Sequence, residues 1–498
     1  MKTLRFILIL CVGFFSSCED AIDIEQVGRI TPEVAFQNLQ DLRDGLSGVY
    51  IAYDHVQDIA FSSVFTDEVS IGVSNEGQGL VDYQFQLDAT SNAANVFWAR
   101  GYFEINRTNR LIAGAEFVTP ETDEQEEYDD ILGQTYALRA YSHFKLLSYY
   151  STDLTDDNAL GVIAVDFVPE IDQKLSRNTN GEVFALIEAD LDRAENLLST
   201  QSNITFVSQD FITALRARMA AYRGQYTAAA SYASQLLTSY PLANRAQYAN
   251  MFFDINNAEI IFKLERVEND AYDTQGTPGF ISSIGRAGAR FSFTDATITG
   301  SPYFEMGRSL FNLLDPNDIR FNVNIDNSSI ISPDYQNAAD FANEDVLVIS
   351  KYPGTIDNPQ LNDLKIFRSS EMLLILAEAS ANDGNINGAS NSTASYIKQL
   401  RDARFGSDQT LPVYANQTEA FAAVLNERRI EFAFEGHRYH DLKRLGERAN
   451  QGVLKDPLDC AFNGACSLPA TDHRFTLPIP IAELIANPGL RAQQNPGY

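Results

Sequence analysis

Residues 210–240 constrain the fold more than any other stretch. They read as two short helical segments joined at Gly224-Gln225, with Tyr226, Ala229 and Ala233 following at helical spacing and Pro241 closing the second segment. Small residues at helical spacing let a neighbouring backbone approach closely, but two helices this short cannot bury an apolar stripe alone. They must stack on others. A second such pair is predicted over residues 367–382 and 394–404. Helical periods also run over residues 35–54, 97–115 and 121–150, and after Arg177, where Val183, Leu186, Ile187, Leu191, Ala194 and Leu198 share a face. The acidic start of the segment at Glu121 suits the helix dipole. Thr31-Pro32-Glu33 has the cap and first-turn proline of a helix start.

Gly224, Tyr226, Ala229, Ala233 and Pro241 fall at the offsets of a tetratricopeptide helix pair, and such pairs stack into a superhelix. The predicted fold class is therefore all-α: a tetratricopeptide-like helical superhelix with one long irregular, loop-rich excursion. Residues 253–352 supply the excursion. They are rich in Gly, Ser, Asn, Asp and Pro and keep no sustained period. A long irregular segment in a helical protein is usually functional or disordered, and the scattered aromatics here argue for a folded one. A second Gly-, Ser- and Asn-rich loop, GVSNEGQGLVDYQF, lies between residues 66 and 95.

Residues 426–446 read NERRIEFAFEGHRYHDLKRLG, and Phe421, Leu425, Phe432, Tyr439 and Leu442 form one helical stripe. Arg428 and Glu431, Glu435 and Arg438, Arg438 and Asp441, and Asp441 and Arg444 each sit three apart, which is neighbouring distance on a helix. The spacing predicts a partly buried ion network of these six residues. Gly436 interrupts the helix at a cost of about 1 kcal/mol relative to Ala, so a close backbone approach or a break between two helices is expected there. A catalytic carboxylate array is the competing reading of Glu427, Glu431, Glu435 and Asp441. Each acid has an arginine within reach, which favours the structural role.

Charge narrows the function. The 498 residues include 37 Lys and Arg against 67 Asp and Glu, a net charge of −30, and phosphate contacts need Lys and Arg. Nucleic acid is excluded as a partner. No run of roughly 18 apolar residues is present, so no membrane-crossing helix is expected. Lys2 and Arg5, an apolar stretch over residues 6–15 and then Ser16-Ser17-Cys18 have the form of an export leader. Cys11 leaves with it. Cys460 and Cys466 bracket the short loop AFNGA, and in an oxidising compartment they are expected to form a local disulfide. A zinc site there would need two further ligands, with only His473 near.

Small residues directly ahead of Cys18 resemble a bacterial lipobox, although Phe15 stands where Leu is usual. The resemblance implies cleavage before Cys18 and lipidation of Cys18, and several acyl chains anchor stably where one is marginal. An ordinary secretory signal with an incidental Cys18 is the alternative. Six further landmarks follow in order: LRDGLSGVYIAYD at Leu42, WARGYFEINRTNRLI at Trp98, LSRNTNGEVFALIEADLDRAENLL at Leu175, FRSSEMLLILAEAS at Phe367, the motif at Asn426, and LPIPIAELIANPGLRAQQNPGY at the end. Together they resemble the SusD/RagB family of Bacteroidetes surface lipoproteins over nearly the whole mature chain. Glu19-Asp20 resembles the export signal that sends such lipoproteins to the outer face.

The resemblance implies an outer-membrane, lipid-anchored protein facing the exterior. It would bind oligosaccharide and act as the lid of a SusC-like TonB-dependent transporter, without cofactor and without catalysis. The expected organisation is a signal peptide over 1–17, a lipidated tether over 18–30, an N-terminal helical region over 31–250, a loop-rich ligand-face region over 251–360 and a C-terminal helical region over 361–498. Two other readings stay open: a peptide-binding component of the same kind of importer, or a glycoside hydrolase using two carboxylates.

Sugar rings need aromatic faces with Asn, Asp, Gln or Arg around them for the hydroxyls. The two loop regions offer Asp82, Tyr83 and Gln84, and Tyr272, Phe280, Arg286, Phe291, Phe293 and Tyr303, as candidate ligand contacts. Trp98 falls at a helical position and is assigned to packing. His437 and His440 make HxxH beside Asp441, but they lack the HExxH arrangement of a metalloprotease, so packing is expected and no metal site is assigned. Asp153, Asp156, Asp157 and Asn158 are oxygen donors that do not match the EF-hand register; a solvated acidic loop is the simpler reading. The negative charge, which grows once Lys2 and Arg5 are removed, favours neutral over acidic glycans.

Overall fold

A computed structural model of the chain describes residues 32–199, 201–274, 285–291, 302–355 and 357–498. Eleven helices of eight residues or more dominate the described residues: α1 (Leu39–Ala52), α2 (Val56–Phe65), α3 (Asn92–Ala115), α4 (Gln125–Tyr150), α5 (Asn180–Leu197), α6 (Gln209–Tyr222), α7 (Tyr226–Ser239), α8 (Ser369–Asn382), α9 (Thr393–Phe405), α10 (Gln417–Glu431) and α11 (Arg438–Leu445). Their starts follow cap chemistry. Asn38 with Asp41, Thr179 with Glu182 and Ser392 with Ser395 form reciprocal capping boxes on α1, α5 and α9. The helix expected from residue 35 begins instead at Leu39, because Asn38 caps afresh after a single turn at Pro32–Ala35. Thr31 lies outside the described residues.

Neighbouring helices pack as hairpins: α3 on α4, α4 on α5, α6 on α7 and α8 on α9. α6–α7 and α8–α9 are the two pairs read from the sequence, and α8 packs directly on α7 although more than a hundred residues separate them. The superhelix therefore continues across the excursion as if it were spliced out. The splice is a two-stranded antiparallel sheet. β2 (Ile260–Leu264) pairs with β4 (Leu364–Arg368), with Leu264 opposite Leu364 and Ile260 opposite Arg368, so the chain leaves and returns side by side.

A second antiparallel pair positions the site. β1 (Val69–Ile71) lies against β3 (Phe304–Met306), with Val69 opposite Met306 and Ile71 opposite Phe304. It ties the loop after α2 to the excursion. A third pair, β5 (Val453–Leu454) and β6 (Ser467–Leu468), closes a hairpin in which Cys460 and Cys466 are disulfide-bonded. The main apolar core runs from Leu39 to Leu490, and a smaller cluster gathers Tyr248, Met251, Phe252 and Ile260. The C-terminal segment is buckled to it by buried Arg177, whose guanidinium donates to Tyr150 O at 2.9 Å, Gly161 O at 2.7 Å, Gln493 O at 2.6 Å and Asn495 Oδ1 at 2.9 Å.

The ion cluster around residues 426–446 differs from the expected local pairs. Asp441–Arg444, at 2.8 Å, is the one i, i+3 pair of the four among the described salt bridges. Arg428 pairs with Asp441 at 2.8 Å, Arg438 with Asp67 at 2.9 Å, and Arg444 also with Glu378. Glu431 takes Arg368 at 2.9 Å and Arg404 at 2.8 Å, and Glu435 takes Arg368 at 2.9 Å and Lys351 at 3.0 Å. The physical reason is the break. Phe434 and Gly436 both adopt positive φ, 62° and 84°, so α10 ends at Glu431 and α11 turns away. A Cβ on Gly436 would stand 2.9 Å from His55 Nε2. The glycine therefore serves both the break and the close approach.

Candidate functional site

Where β1–β3 joins the two loop regions, a cavity of about 470 Å³ opens between α2, the start of α3, the turn Leu80–Tyr83 and Phe304. Its floor is aromatic. Phe61 of α2 meets Phe97 of α3 edge-on at 5.5 Å, and Phe97 stacks on Tyr149 of α4 at 4.1 Å and 17°. Tyr149 is fixed in turn by donating to Asp58 at 2.9 Å. Phe291 and Phe304 close the opposite wall. Gly79 lets this wall come close: its φ is 65°, and a Cβ there would lie 2.9 Å from Phe304 Cζ. The rim is polar, with Gln57, Asp82, Gln86, Asp88, Asn92 and Arg290.

The two rim carboxylates sit in opposite environments. Asp88 accepts from Thr90 N at 2.7 Å and Thr90 Oγ1 at 2.6 Å, and these bonds hold it below the usual carboxylate range. Asp82 receives no side-chain hydrogen bond among the described residues, and desolvation alone pushes its carboxyl up to about 6. Its neighbour Tyr83 holds the turn in place. Tyr83 is fully buried, donates to Asp459 O at 2.8 Å and stacks on Phe462 at 6.1 Å. Lys455 donates to Tyr83 O at 2.5 Å and sits 3.4 Å from the Tyr83 ring centroid. Burial brings its ammonium down to about 7. Asp459, Phe462 and Lys455 all belong to the β5–β6 hairpin, so the disulfide loop backs the turn that carries Asp82.

Of the candidates read from sequence, Asp82 and Phe291 line this cavity. Tyr83 turns its ring inward, which leaves no face for a sugar. Gln84 lies off the cavity and accepts from Gln86 at 2.8 Å. Tyr272 is clamped between Arg100 and Arg266, 5.7 and 4.4 Å from its ring, and donates to Ile51 O at 2.7 Å. Arg286 pairs with Asp273 and donates to Pro359 O at 2.7 Å. Tyr303 is buried, its carbonyl accepting from Asn75 at 2.9 Å. Tyr83, Tyr272, Arg286 and Tyr303 anchor loops. Phe280, Phe293 and Cys18 lie outside the described residues. Phe61, Phe97, Phe304, Gln57, Asn92 and Arg290 were missed, because Phe97 falls in a helical period that marks it as core, Phe61 lies in a stretch given no element, and nothing local shows that β1 and β3 pair.

The other candidate centres are packing and turn chemistry. His437 stacks on Phe432 at 4.6 Å, and His440 meets Tyr149 edge-on at 4.4 Å. Asp153 and Asp156 cap their own turns through Thr155 N and Asn158 N, and Asp157 pairs with Arg223 at 2.8 Å. No group of three or more His, Cys, Asp or Glu is placed to hold a metal ion among the described residues. No helix among them is long and apolar enough to cross a membrane.

Two family profiles match the chain. The one described as "SusD family" matches residues 313–498, and the one described as "Starch-binding associating with outer membrane" matches residues 30–222. The chain belongs to the SusD/RagB family. A SusD-like protein of Formosa agariphila is 25% identical over 530 residues, covering 100% of both chains. A SusD superfamily structure from Bacteroides thetaiotaomicron superposes with a TM-score of 0.76 at 22% identity, covering 92% of this chain and 100% of that one. A structure described as a laminarin-binding SusD-like protein gives 0.67 at 20% identity, covering 93% and 100%. In this SusD/RagB chain the match over residues 30–222 carries α2, α3 and the Asp82 turn, and the match over residues 313–498 carries the disulfide hairpin behind that turn. Arg290, Phe291 and Phe304 come from the excursion between them.

Proposed function

We propose that this chain is a surface glycan-binding lipoprotein, anchored to the outer membrane through Cys18, that captures oligosaccharide in the cavity beside Asp82. It serves as the lid of a SusC-like TonB-dependent transporter and has no catalytic cycle of its own. The observation that carries the reading is the composition of the cavity: an aromatic floor ringed by side-chain amides and carboxylates, at the junction of the two loop regions. That is the mixture a sugar ring with its hydroxyls requires. The laminarin-binding relative supports a glycan as cargo. The acids of the C-terminal motif are committed to arginines, which speaks against a hydrolase built on them.

Calorimetric titration of the soluble chain from Glu19 onward against neutral and acidic oligosaccharides tests this reading. Saturable binding of a neutral glycan without release of reducing ends is expected. Binding of peptides alone, tighter binding of alginate or pectin than of neutral β-glucan, or product release would each contradict part of it.

A further inference from the structure

The cavity holds two carboxylates that differ in what they lack. Asp88 has its hydrogen bonds supplied by its own turn, at 2.6 and 2.7 Å, and needs nothing from a ligand. Asp82 is partly buried, lines the same cavity and has no donor to satisfy it among the described residues. Its carboxylate oxygens open on the cavity rather than being sealed in the core. Its position is nevertheless held by the buried Tyr83 next to it and by three residues of the disulfide hairpin. A fixed acceptor that opens on the cavity without a protein donor among the described residues, beside an aromatic floor, is complementary to a group that brings its own donors.

We propose that Asp82 is the ligand-orienting group of the cavity, its ionised carboxylate accepting hydrogen bonds from two hydroxyls of a neutral sugar ring. This rests on the glycan-binding reading above and adds to it a specificity-determining residue and a dependence on proton concentration. Hydroxyl donors stabilise the charged carboxylate, so binding releases the proton that Asp82 holds near and below pH 6. Affinity rises with pH through that value and levels off above it. If only the ionised form binds, affinity falls about tenfold for each pH unit below it. The surroundings do not obscure this titration. Among the described residues the other charged groups lining the cavity are Asp88, held ionised by Thr90, and Arg290, while α2 and α3 present Gln57, Asn92 and apolar side chains. An anionic sugar placed on the same group would meet like charge and bind less well as pH rises.

The test is calorimetric titration of the soluble chain with maltoheptaose and with laminarihexaose at pH 5.0, 6.0 and 7.5, for wild type, Asp82→Asn and Asp88→Asn. Wild type is expected to bind about tenfold more weakly at the lowest pH than at the highest. Asp82→Asn is expected to lose affinity at high pH and to lose the pH dependence, whereas Asp88→Asn keeps it. Circular dichroism and thermal midpoint check that both variants fold. Wild-type binding that Asp82→Asn reproduces at every pH overturns the role of Asp82 and leaves the capture function standing. Absence of wild-type binding to both sugars overturns the two together.

Discussion

Arg368 shows how much a single residue can organise. Its guanidinium reaches Glu431 at 2.9 Å, Glu435 at 2.9 Å and Glu259 at 3.1 Å, joining β4, the α10–α11 break and the start of the excursion in one buried cluster. Arg368→Ala would take one cation from three buried carboxylates at once, leaving Glu431 and Glu259 to Arg404 and Glu435 to Lys351, and breaking a buried ion set in this way typically costs about 3–5 kcal/mol. A markedly lower thermal midpoint is the expected outcome. Glu305, on β3, gives the opposite kind of prediction. Burial raises its carboxyl from the ordinary 4.5 to about 8, with Asp459 and Asp345 adding to the effect. Its folded value lies above its unfolded one, so its contribution to stability is full below 4.5 and is lost as pH rises through about 8. Glu68 and Asp459, both raised to about 7, act in the same sense. Lys443 and Lys455, lowered to about 7, stay charged in both states below that value and add no slope there. Buried His143, His437 and His440, lowered by burial, act in the opposite sense up to about 6.5. Glu305→Gln loses the downward contribution of Glu305 alone, so its thermal midpoint at pH 7, relative to that at pH 5, is expected to lie higher than in wild type.

At the scale of elements, what was legible in the sequence was what is local. The pairs α6–α7 and α8–α9 were visible because small and apolar residues recur at 3.6-residue period within each pair. The cavity was not, since it depends on β1 and β3, strands of three residues each whose pairing no period announces. Residue type also misled. Tyr83, Tyr272, Arg286 and Tyr303 have the chemistry of ligand contacts, but in a loop the same chemistry serves equally to tie the backbone down, and here it does so. The ion motif was legible as a cluster and illegible in its partners, because the turn at Phe434–Gly436 redirects every pair but Asp441–Arg444. The Cys460–Cys466 hairpin yields an element-scale prediction. Replacing both cysteines by serine should destabilise the chain by about 2 kcal/mol or less, given the short loop, and should weaken glycan affinity more than this global loss explains. Hydrogen exchange confined to the hairpin and the Leu80–Tyr83 turn would account for the difference.

For the whole molecule, the helical superhelix is the frame and the excursion is set into it. β2–β4 returns the chain to the place it left, so the frame closes whatever the excursion holds, and β1–β3 brings the excursion against the first loop to make one cavity. The central claim is that this cavity is where the cargo binds. Ala60 lies on α2, half-buried on the cavity side and away from the core, so Ala60→Trp fills the space without replacing a packed side chain. The decisive measurement is the glycan affinity of Ala60→Trp against wild type by calorimetric titration, with thermal midpoints in parallel. The account predicts a loss of at least about tenfold, or roughly 1.4 kcal/mol, at an unchanged midpoint. Wild-type affinity in a folded Ala60→Trp chain would place the cargo elsewhere and contradict it.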